Sequence, residues 1–268
     1  MLYTIGHQIY VLYLTNAVML DYVLLQHGGA WGSGIPWMYR LTATPFLEKN
    51  MVVAVVGYRT YPDGNLNDQI NDLEDAFQAF KMTFPQYLKP PAGMKKKDWL
   101  GMNLIGHSSG AHISMLMLIR RLEQKLENRS GLNQVLDFDA FVSLAGVFSI
   151  YDHFLLEVER GIEEFSPMKP ICGYTREMFG FYSPTDRMLH MKNSSESTFS
   201  TRMLFIHGTN DPVVPFTSTQ KLVSAIKQVG RTDCSEYYLP NVDHVETVTD
   251  VMFGGQSRNI VQQWLEEK

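Results

Sequence analysis

The sequence predicts an α/β fold in which helices cover both faces of a mostly parallel central sheet. Short apolar runs rich in Val, Ile, Leu and Phe, typical of buried parallel strands, alternate with longer segments of helical period. This alternation is the pattern of repeated strand–helix–strand units. The chain has 268 residues, 45% of them hydrophobic, which suits one domain whose core needs no disulfide or metal. We therefore expect residues 1–268 to form a single domain.

The predicted elements follow one another in regular order along the chain. Strands are predicted at Ile9–Leu14, Tyr22–Gln26, Val52–Val56, Asn103–Gly106, Ala140–Leu144, Met203–His207 and Glu236–Leu239. Helices are predicted at Asn67–Met82, Ser109–Glu127, Phe216–Gln228 and Gln256–Glu266. Because the carboxyl ends of parallel strands share one edge of the sheet, the loops after these strands are where a site is expected.

The N-terminal stretch from residue 8 to residue 25 is apolar enough to raise the alternative of a membrane span. Asn16 and Asp21 interrupt it, and no Lys or Arg precedes it. A signal peptide needs a positive first region, and a span needs about 20 unbroken apolar residues. We therefore expect two strands joined by a turn around Asn16, with no integral membrane span.

Residues 149–200 interrupt the alternation of strands and helices. The segment opens with apolar residues spaced four and three apart, which predicts one helical face: Tyr151, Leu155, Val158, Ile162 and Phe165. It then becomes irregular and rich in Met, Pro and aromatic residues. A long irregular insert in a compact enzyme often forms a cap over the site, so we expect a small helical cap insert here. The alternative is ordinary packing over the edge of a helix.

Charge and cysteine content exclude several classes of protein. The net charge of −5 argues against a nucleic-acid partner, which requires a basic face. Cys172 and Cys234 do not make a disulfide framework, and neither belongs to a CxxC pair. They are typical of reduced thiols, which favours a cytoplasmic protein.

The stretch Gly106-His107-Ser108-Ser109-Gly110 carries the strongest chemical signal. It has the form G-x-S-x-G and lies directly between a predicted strand and a predicted helix. Such a sharp turn presents its central serine as a nucleophile, and the glycines avoid collision with the crossing backbone. The helix that begins beyond it offers free N–H groups and a positive dipole end. Ser108 is thus the candidate nucleophile, and the N–H of Ser109 would point at an oxyanion.

A second glycine motif, His27-Gly28-Gly29-Ala30-Trp31, follows the strand Tyr22–Gln26. Backbone N–H groups in such a turn can approach a substrate oxygen closely, because its side chains are absent or small. Alone it could be any glycine turn. Paired with the serine motif downstream, it predicts the other half of an oxyanion hole.

The acid and the base are expected after the serine, at the same edge of the sheet. Asp211 follows the strand Met203–His207, although an Asp before Pro also commonly caps a turn. His244 follows the strand Glu236–Leu239 and precedes the last predicted helix. Among the other histidines, His27, His107 and His207 belong to loop motifs and fit packing or hydrogen-bonding roles better. The order Ser, Asp, His predicts a catalytic triad of Ser108, Asp211 and His244.

At these motifs the chain resembles α/β-hydrolase esterases near the hormone-sensitive-lipase branch. It is most similar to isoprenylcysteine methylesterases, with kynurenine formamidases and carboxylesterases nearby. Besides the two glycine motifs, the likeness rests on Tyr58-Arg59 with Pro62 and Gly64, Asn67-Asp68, Asp152-His153-Phe154, Phe165-Ser166-Pro167, and His207-Gly208-Thr209 with Asp211, Val214 and Pro215. Three features depart from the family: Ser109 replaces a frequent Ala, less chain precedes the first strand, and the spanning N-terminal region of plant methylesterases is not seen.

The resemblance implies the α/β-hydrolase fold and a serine esterase that acts through an acyl-enzyme intermediate. It implies an oxyanion hole built from the N–H groups of Gly29, Ala30 and Ser109, with no cofactor and no metal. The implied partner is a small-molecule ester, and the Met- and aromatic-rich insert favours a hydrophobic one. The alternatives are a kynurenine formamidase and, from another class, a non-catalytic α/β-hydrolase binding protein.

Overall fold

The fold is built on one central β-sheet. The computed structural model describes residues 2–5, 8–13, 21–83, 101–127, 138–191, 199–229 and 233–267. The strands in that part are β1 (Leu2–Ile5), β2 (Gln8–Tyr13), β3 (Tyr22–Gln26), β4 (Val52–Val56), β5 (Met102–His107), β6 (Ala140–Leu144), β7 (Arg202–Gly208) and β8 (Cys234–Leu239). They form one sheet in the order β1-β2-β4-β3-β5-β6-β7-β8. Strands β3 to β8 are parallel, and β1 and β2 are antiparallel at the β4 edge. The predicted mostly parallel sheet is confirmed.

Helices lie on both faces of this sheet. A 3₁₀ helix (Pro36–Ala43) leads into α1 (Thr44–Leu47), and the others are α2 (Leu66–Thr83), α3 (Ser109–Glu127), α4 (Ile150–Glu159), α5 (Met168–Cys172), α6 (Arg176–Phe181), α7 (Pro184–His190), α8 (Thr217–Val229), α9 (Glu246–Phe253) and α10 (Gln256–Glu266). The predicted bounds of α3 and α10 match the structure, and those of α2 and α8 differ by one residue at each end. The 3₁₀ helix, α1 and α9 had no counterpart in the sequence analysis.

The core has two halves, one on each face of the sheet. Successive side chains of β3 alternate between them: Leu24 packs with α2, α3 and α8, whereas Val23 and Leu25 pack with α9 and α10. Strands buried on both faces need apolar side chains at consecutive positions. This explains why the inner strands are continuous apolar runs.

The predicted N-terminal strand Ile9–Leu14 corresponds to β2, one residue earlier. Strand β1 was not predicted, and the expected turn around Asn16 falls outside the described residues. In the described part of the chain, no helix combines the length and apolar content needed to cross a bilayer.

Helices α4 to α7 lie between β6 and β7, and we call residues 149–191 the β6–β7 segment. The backbone N–H groups of Phe148 and Ser149 donate to Ser218 Oγ of α8, at 2.8 and 3.0 Å. Arg187 of α7 forms an ion pair with Glu123 of α3. These bonds fasten the segment to the helices that flank the sheet.

The predicted apolar face of α4 was wrong in extent and in orientation. The helix ends at Glu159, and Gly161 follows with a φ of +67°, so Ile162 and Phe165 lie beyond it. Leu155 and Val158 are 47% and 43% exposed. The buried positions are instead Ile150, His153 and Glu157, and His153 Nε2 lies 3.2 Å from a carboxylate oxygen of Glu157.

Candidate active site

Ser108 occupies the turn between β5 and α3. Its φ is +54°, a left-handed conformation that non-glycine residues seldom adopt. A Cβ on Gly110 would lie 2.3 Å from the carbonyl oxygen of His27 and 2.5 Å from that of Gln26. The helix therefore approaches β3 so closely that only glycine fits. This steric demand explains the second glycine of the serine motif.

The structure brings Ser108, His244 and Asp211 together, in the chain of contacts that the sequence predicts. His244 Nε2 lies 2.9 Å from Ser108 Oγ, and His244 Nδ1 lies 2.7 Å from Asp211 Oδ2. A carboxylate only accepts hydrogen bonds, so the Nδ1–H of His244 donates to Asp211. The unprotonated Nε2 then accepts from the Ser108 hydroxyl. In this tautomer His244 is able to take up the serine proton.

The carboxylate of Asp211 is fully buried and has several donors. Its Oδ1 accepts the backbone N–H groups of Val213 and Val214, both at 2.8 Å. Its Oδ2 accepts from His244 and also from His207 Nε2 at 3.1 Å. Burial alone would raise the pKa of Asp211, but these hydrogen bonds hold that pKa well below its ordinary value. Asp211 is thus an anion that faces the imidazole.

Two further histidines contact these three residues. His207 accepts a hydrogen bond from Thr219 Oγ1 at 2.7 Å on Nδ1, which leaves its Nε2–H for Asp211. His107 Nε2 donates to the carbonyl oxygen of His244 at 3.1 Å, and its Nδ1 accepts from Tyr39 at 2.7 Å. Burial lowers the pKa of His107 to about 3, so it is neutral at ordinary pH.

Tyr39 was missed by the sequence analysis. It lies on the 3₁₀ helix, 68 positions before His107 in the chain. No local pattern marks it, because its role arises only when the 3₁₀ helix packs beside the serine turn. The two glycine motifs could predict that their loops meet, but not that a tyrosine from elsewhere joins them.

The loop after β3, residues 28–34, forms a tight turn beside Ser108, and we call it the glycine loop. Ala30 and Trp31 have φ values of +48° and +60°, although neither is glycine. The N–H of Ser33 donates to the Gly29 carbonyl at 2.9 Å and fixes the turn. Among the described residues, the N–H groups of Gly29 and Ala30 donate to no backbone carbonyl. Ser109 begins α3, where helix geometry leaves N–H groups without an intrahelical acceptor.

A cavity of about 540 Å³ opens beside the glycine loop. Its walls include Gly29, Ala30, Gly32, Ser33, Tyr61, Glu163, Glu164, Phe165, Ser166, Pro167, Lys169, Pro170 and Tyr174. Two methionines of the insert, Met168 and Met188, are buried in the main core and do not line this cavity. The walls mix aromatic rings with charged groups, and Lys169 pairs with Glu164. The β6–β7 segment thus gives this cavity a less apolar wall than the composition of the segment indicates.

Histidine and carboxylate side chains, which are common metal ligands, surround Ser108. In the ranges that the structure describes, no group of three or more His, Cys, Asp or Glu side chains has an arrangement that could hold a metal ion. Of the polar groups around Ser108, each histidine ring nitrogen described above has a protein partner.

This sheet, the strained serine turn and the ordered Ser–His–Asp contacts define an α/β-hydrolase fold. The chain belongs to the BD-FAE family, whose pattern it matches over residues 9–226. It is similar to the probable isoprenylcysteine alpha-carbonyl methylesterase ICME of Oryza sativa subsp. japonica, with 23% identity over 76% of this chain and 46% of the relative. The chain thus spans about half the length of that curated relative.

Two other comparisons bear on the fold and the family. A kynurenine formamidase from Salmo salar is 27% identical over 39% of this chain and 31% of its own length. The solved structure of esterase B from Lactobacillus rhamnosis superposes with a TM-score of 0.72 at 17% identity, over 96% of this chain and 79% of that one. The resemblance that the sequence motifs indicate is confirmed at the level of fold and family.

Proposed function

We propose that the protein is a serine hydrolase that cleaves small carboxylic esters through an acyl-enzyme intermediate. The observation that carries the proposal is the connected chain from Ser108 Oγ through His244 to Asp211, with contacts of 2.9 and 2.7 Å. Such a chain activates a hydroxyl because the imidazole accepts its proton and the carboxylate stabilises the resulting cation.

The first half of the reaction acylates the serine. His244 Nε2 takes the proton of Ser108 as Oγ attacks the ester carbonyl carbon. The negative charge that develops on the carbonyl oxygen faces the N–H groups of Gly29, Ala30 and Ser109. When the carbon–oxygen bond to the alcohol breaks, the Nε2–H of His244 protonates the leaving oxygen. The alcohol departs, and the acyl group stays on Ser108.

The second half repeats these transfers with water. His244 Nε2 takes a proton from water, whose oxygen attacks the acyl carbon. The same N–H groups face the new oxyanion. The bond to Ser108 Oγ then breaks, His244 returns the proton to the serine, and the carboxylic acid leaves. Asp211 holds the Nδ1–H of His244 throughout, so the ring keeps one orientation.

The decisive test is covalent labelling followed by mutation. A fluorophosphonate probe is expected to add one phosphonyl group at Ser108, as read by intact mass and peptide mapping. Ser108→Ala is expected to lose labelling and to lower the hydrolysis of p-nitrophenyl acetate by at least about 10³-fold with its fold retained, as checked by circular dichroism. Labelling elsewhere, or absence of both labelling and turnover in the parent protein, would favour the non-catalytic binding protein.

For the substrate itself, we propose a prenylcysteine methyl ester, which the similarity to the rice methylesterase supports. The second candidate is N-formylkynurenine, which the similarity to the salmon formamidase supports. A competition assay with both compounds and purified protein separates them. Preference for the methyl ester is expected, and dominant hydrolysis of N-formylkynurenine would replace that substrate while leaving the triad proposal intact.

A further inference from the structure

A second hydrogen-bonded chain, separate from that of Ser108, His244 and Asp211, reaches the glycine loop. The side chain of Trp31 is fully buried, and its Nε1 donates to His112 Nδ1 at 3.0 Å. The carbonyl oxygen of Trp31 accepts from Gln69 Nε2 at 2.9 Å and from the backbone N–H of Tyr61 at 3.0 Å. Trp31 is therefore held at both its side chain and its backbone.

The partners of His112 determine its tautomer. An indole N–H can only donate, so Nδ1 of His112 carries no proton. The carbonyl oxygen of Tyr182 can only accept, so His112 Nε2, at 2.7 Å from it, carries the proton. Burial lowers the pKa of His112 to about 4, a direction reinforced by His153 and Arg187 and opposed by the bond to Tyr182. The imidazole is a neutral bridge between the glycine loop and the β6–β7 segment.

This bridge acts on backbone that is strained. Ala30 and Trp31 are consecutive non-glycine residues with positive φ. Such residues carry backbone strain and persist only where their surroundings hold them. The Ala30 carbonyl accepts the Gly32 N–H at 2.7 Å inside the turn, whereas Trp31 contacts residues outside it, and its ring packs edge-on against those of His112 and His153 at 5.3 and 6.0 Å between centroids. Release of the Trp31 side chain would remove one of the contacts that hold the turn in place.

We propose that His112 is a positioning residue of the oxyanion hole. By accepting the Trp31 indole N–H it holds the left-handed turn that directs the N–H groups of Gly29 and Ala30 at the substrate oxygen. By donating to Tyr182 it fastens that turn to the β6–β7 segment. The inference rests on the proposed function, because an oxyanion hole matters only if Ser108 attacks a carbonyl.

Two amide substitutions separate the two bonds of His112. The side chain of Asn places an oxygen near the position of Nδ1, so His112→Asn keeps an acceptor for Trp31 and loses the reach to Tyr182. The longer Gln places its amide near Nε2, so His112→Gln keeps the donor to Tyr182 and leaves the indole N–H without a partner. The apolar variant His112→Leu removes both bonds, and His190→Leu, at an exposed position of α7, is the matched control.

Kinetics and inhibitor affinity are measured well below the unfolding temperature of each variant. An interaction made mainly in the transition state lowers kcat and leaves KM nearly unchanged. With p-nitrophenyl acetate, His112→Gln and His112→Leu are expected to lose about tenfold or more in kcat, with KM within about twofold. The affinity for butylboronic acid, which forms a tetrahedral adduct with a serine, should fall by the same factor. His112→Asn should retain most of both, and His190→Leu should match the parent protein.

A spectroscopic readout tests the bond itself. The chain has four tryptophans, so the ¹H–¹⁵N spectrum contains four indole signals, and Trp31→Phe identifies the one from Trp31. That signal is expected to shift in His112→Gln and to stay near its original position in His112→Asn. Trp31→Phe combined with His112→Leu should lose no more activity than the worse single variant, because both variants remove the same bond between Trp31 and His112.

Separate outcomes overturn the inference and the proposed function. The inference falls if His112→Gln keeps kcat and boronate affinity within twofold of the parent, or if His112→Asn loses as much as His112→Gln. It also falls if the variants lose only thermal stability. A parent protein that neither reacts with fluorophosphonate nor hydrolyses esters would overturn the proposed function itself.

Discussion

At the scale of single residues, the site depends on how Asp211 and Asp243 are used. Both carboxylates lie near His244, and sequence position alone does not separate their roles. The structure does: Asp211 contacts the imidazole, whereas Asp243 Oδ1 accepts the backbone N–H groups of Val245 and Glu246 at 2.8 and 2.7 Å. Asp243 therefore caps the turn that leads into α9, and of the two carboxylates only Asp211 meets the histidine ring.

Asparagine at each position gives a matched test. Asp211→Asn is expected to lower kcat for p-nitrophenyl acetate by about 10³–10⁴-fold, because an amide can donate to Nδ1 and favour the wrong tautomer of His244. Asp243→Asn should stay within about threefold of the parent, since an amide oxygen caps a helix nearly as well as a carboxylate. Steady-state kinetics on both variants distinguish the two carboxylates. Equal losses of kcat would contradict the assignment of Asp211 as the acid that faces His244.

Residue-scale prediction from sequence succeeded where the signal is local. The turn around Ser108 and the loops of Asp211 and His244 each follow a strand, so their shared edge of the sheet could be anticipated. The contact of Trp31 with His112 joins residues 81 positions apart. Such a pair depends on how α3 packs beside the glycine loop, which no local pattern encodes.

At the scale of elements, α3 is defined by its close approach to β3 at Gly110. The neighbouring atoms are backbone carbonyl oxygens of Gln26 and His27, which cannot move without disturbing the sheet. The helix α3 could be predicted because its turn signal and its apolar pattern agree. The prediction for α4 was wrong because the apolar side of a helix is usually the buried side, whereas here His153 and Glu157 satisfy part of each other's polarity inside.

Gly110 and Gly161 provide a contrast between steric and conformational demands. Gly110→Ala is expected to lower the free energy of unfolding by about 3 kcal/mol and to abolish fluorophosphonate labelling, because the new methyl group displaces the turn of Ser108. Gly161→Ala meets no atom within 4 Å, so it should lose only about 1–2 kcal/mol, from its positive φ.

Urea unfolding and probe labelling measure the two effects. Gly161→Ala should label at the parental rate although it is less stable. A Gly110→Ala protein that labels normally would show that α3 can withdraw from β3 without moving the serine, contrary to this account.

At the scale of the whole molecule, several buried histidines respond to acid together. Burial lowers the pKa of His27 and of His112 to about 4 and that of His107 to about 3. The unfolded chain binds these protons near pH 6.5, whereas the folded chain resists them. Each histidine therefore contributes stability that is fully present above about pH 6.5 and is lost as the pH falls from there toward about 4.

Acid should thus weaken the fold well above the pH at which carboxylates titrate. Each of these histidines should contribute up to about 1.4 kcal/mol per pH unit in that window. Urea titrations at pH 8, 6 and 5 are expected to give a steadily falling free energy of unfolding. His112→Asn should show a shallower fall by about one proton. Equal free energies of unfolding at pH 8 and pH 5 would contradict the lowered pKa values of these histidines.

The sheet order illustrates what sequence analysis of the whole molecule could reach. The alternation of strands and helices predicted a parallel sheet, and the structure confirms it. The antiparallel pairing of β2 with β4, rather than with its chain neighbour β3, could not be inferred. That pairing depends on which sheet edge is left open once β3 lies between β4 and β5, a long-range property of the assembled sheet.

The position of β8 at the outer edge of the sheet has a consequence for how the newly synthesised chain folds. His244 lies in the loop that follows this strand. During synthesis, more than a hundred residues are therefore added after Ser108 before the histidine that would take its proton is present. In the proposed mechanism the serine therefore becomes reactive only after β7 has paired with β8, and non-local contacts of this kind form slowly. The first appearance of a reactive serine would then time the completion of the sheet.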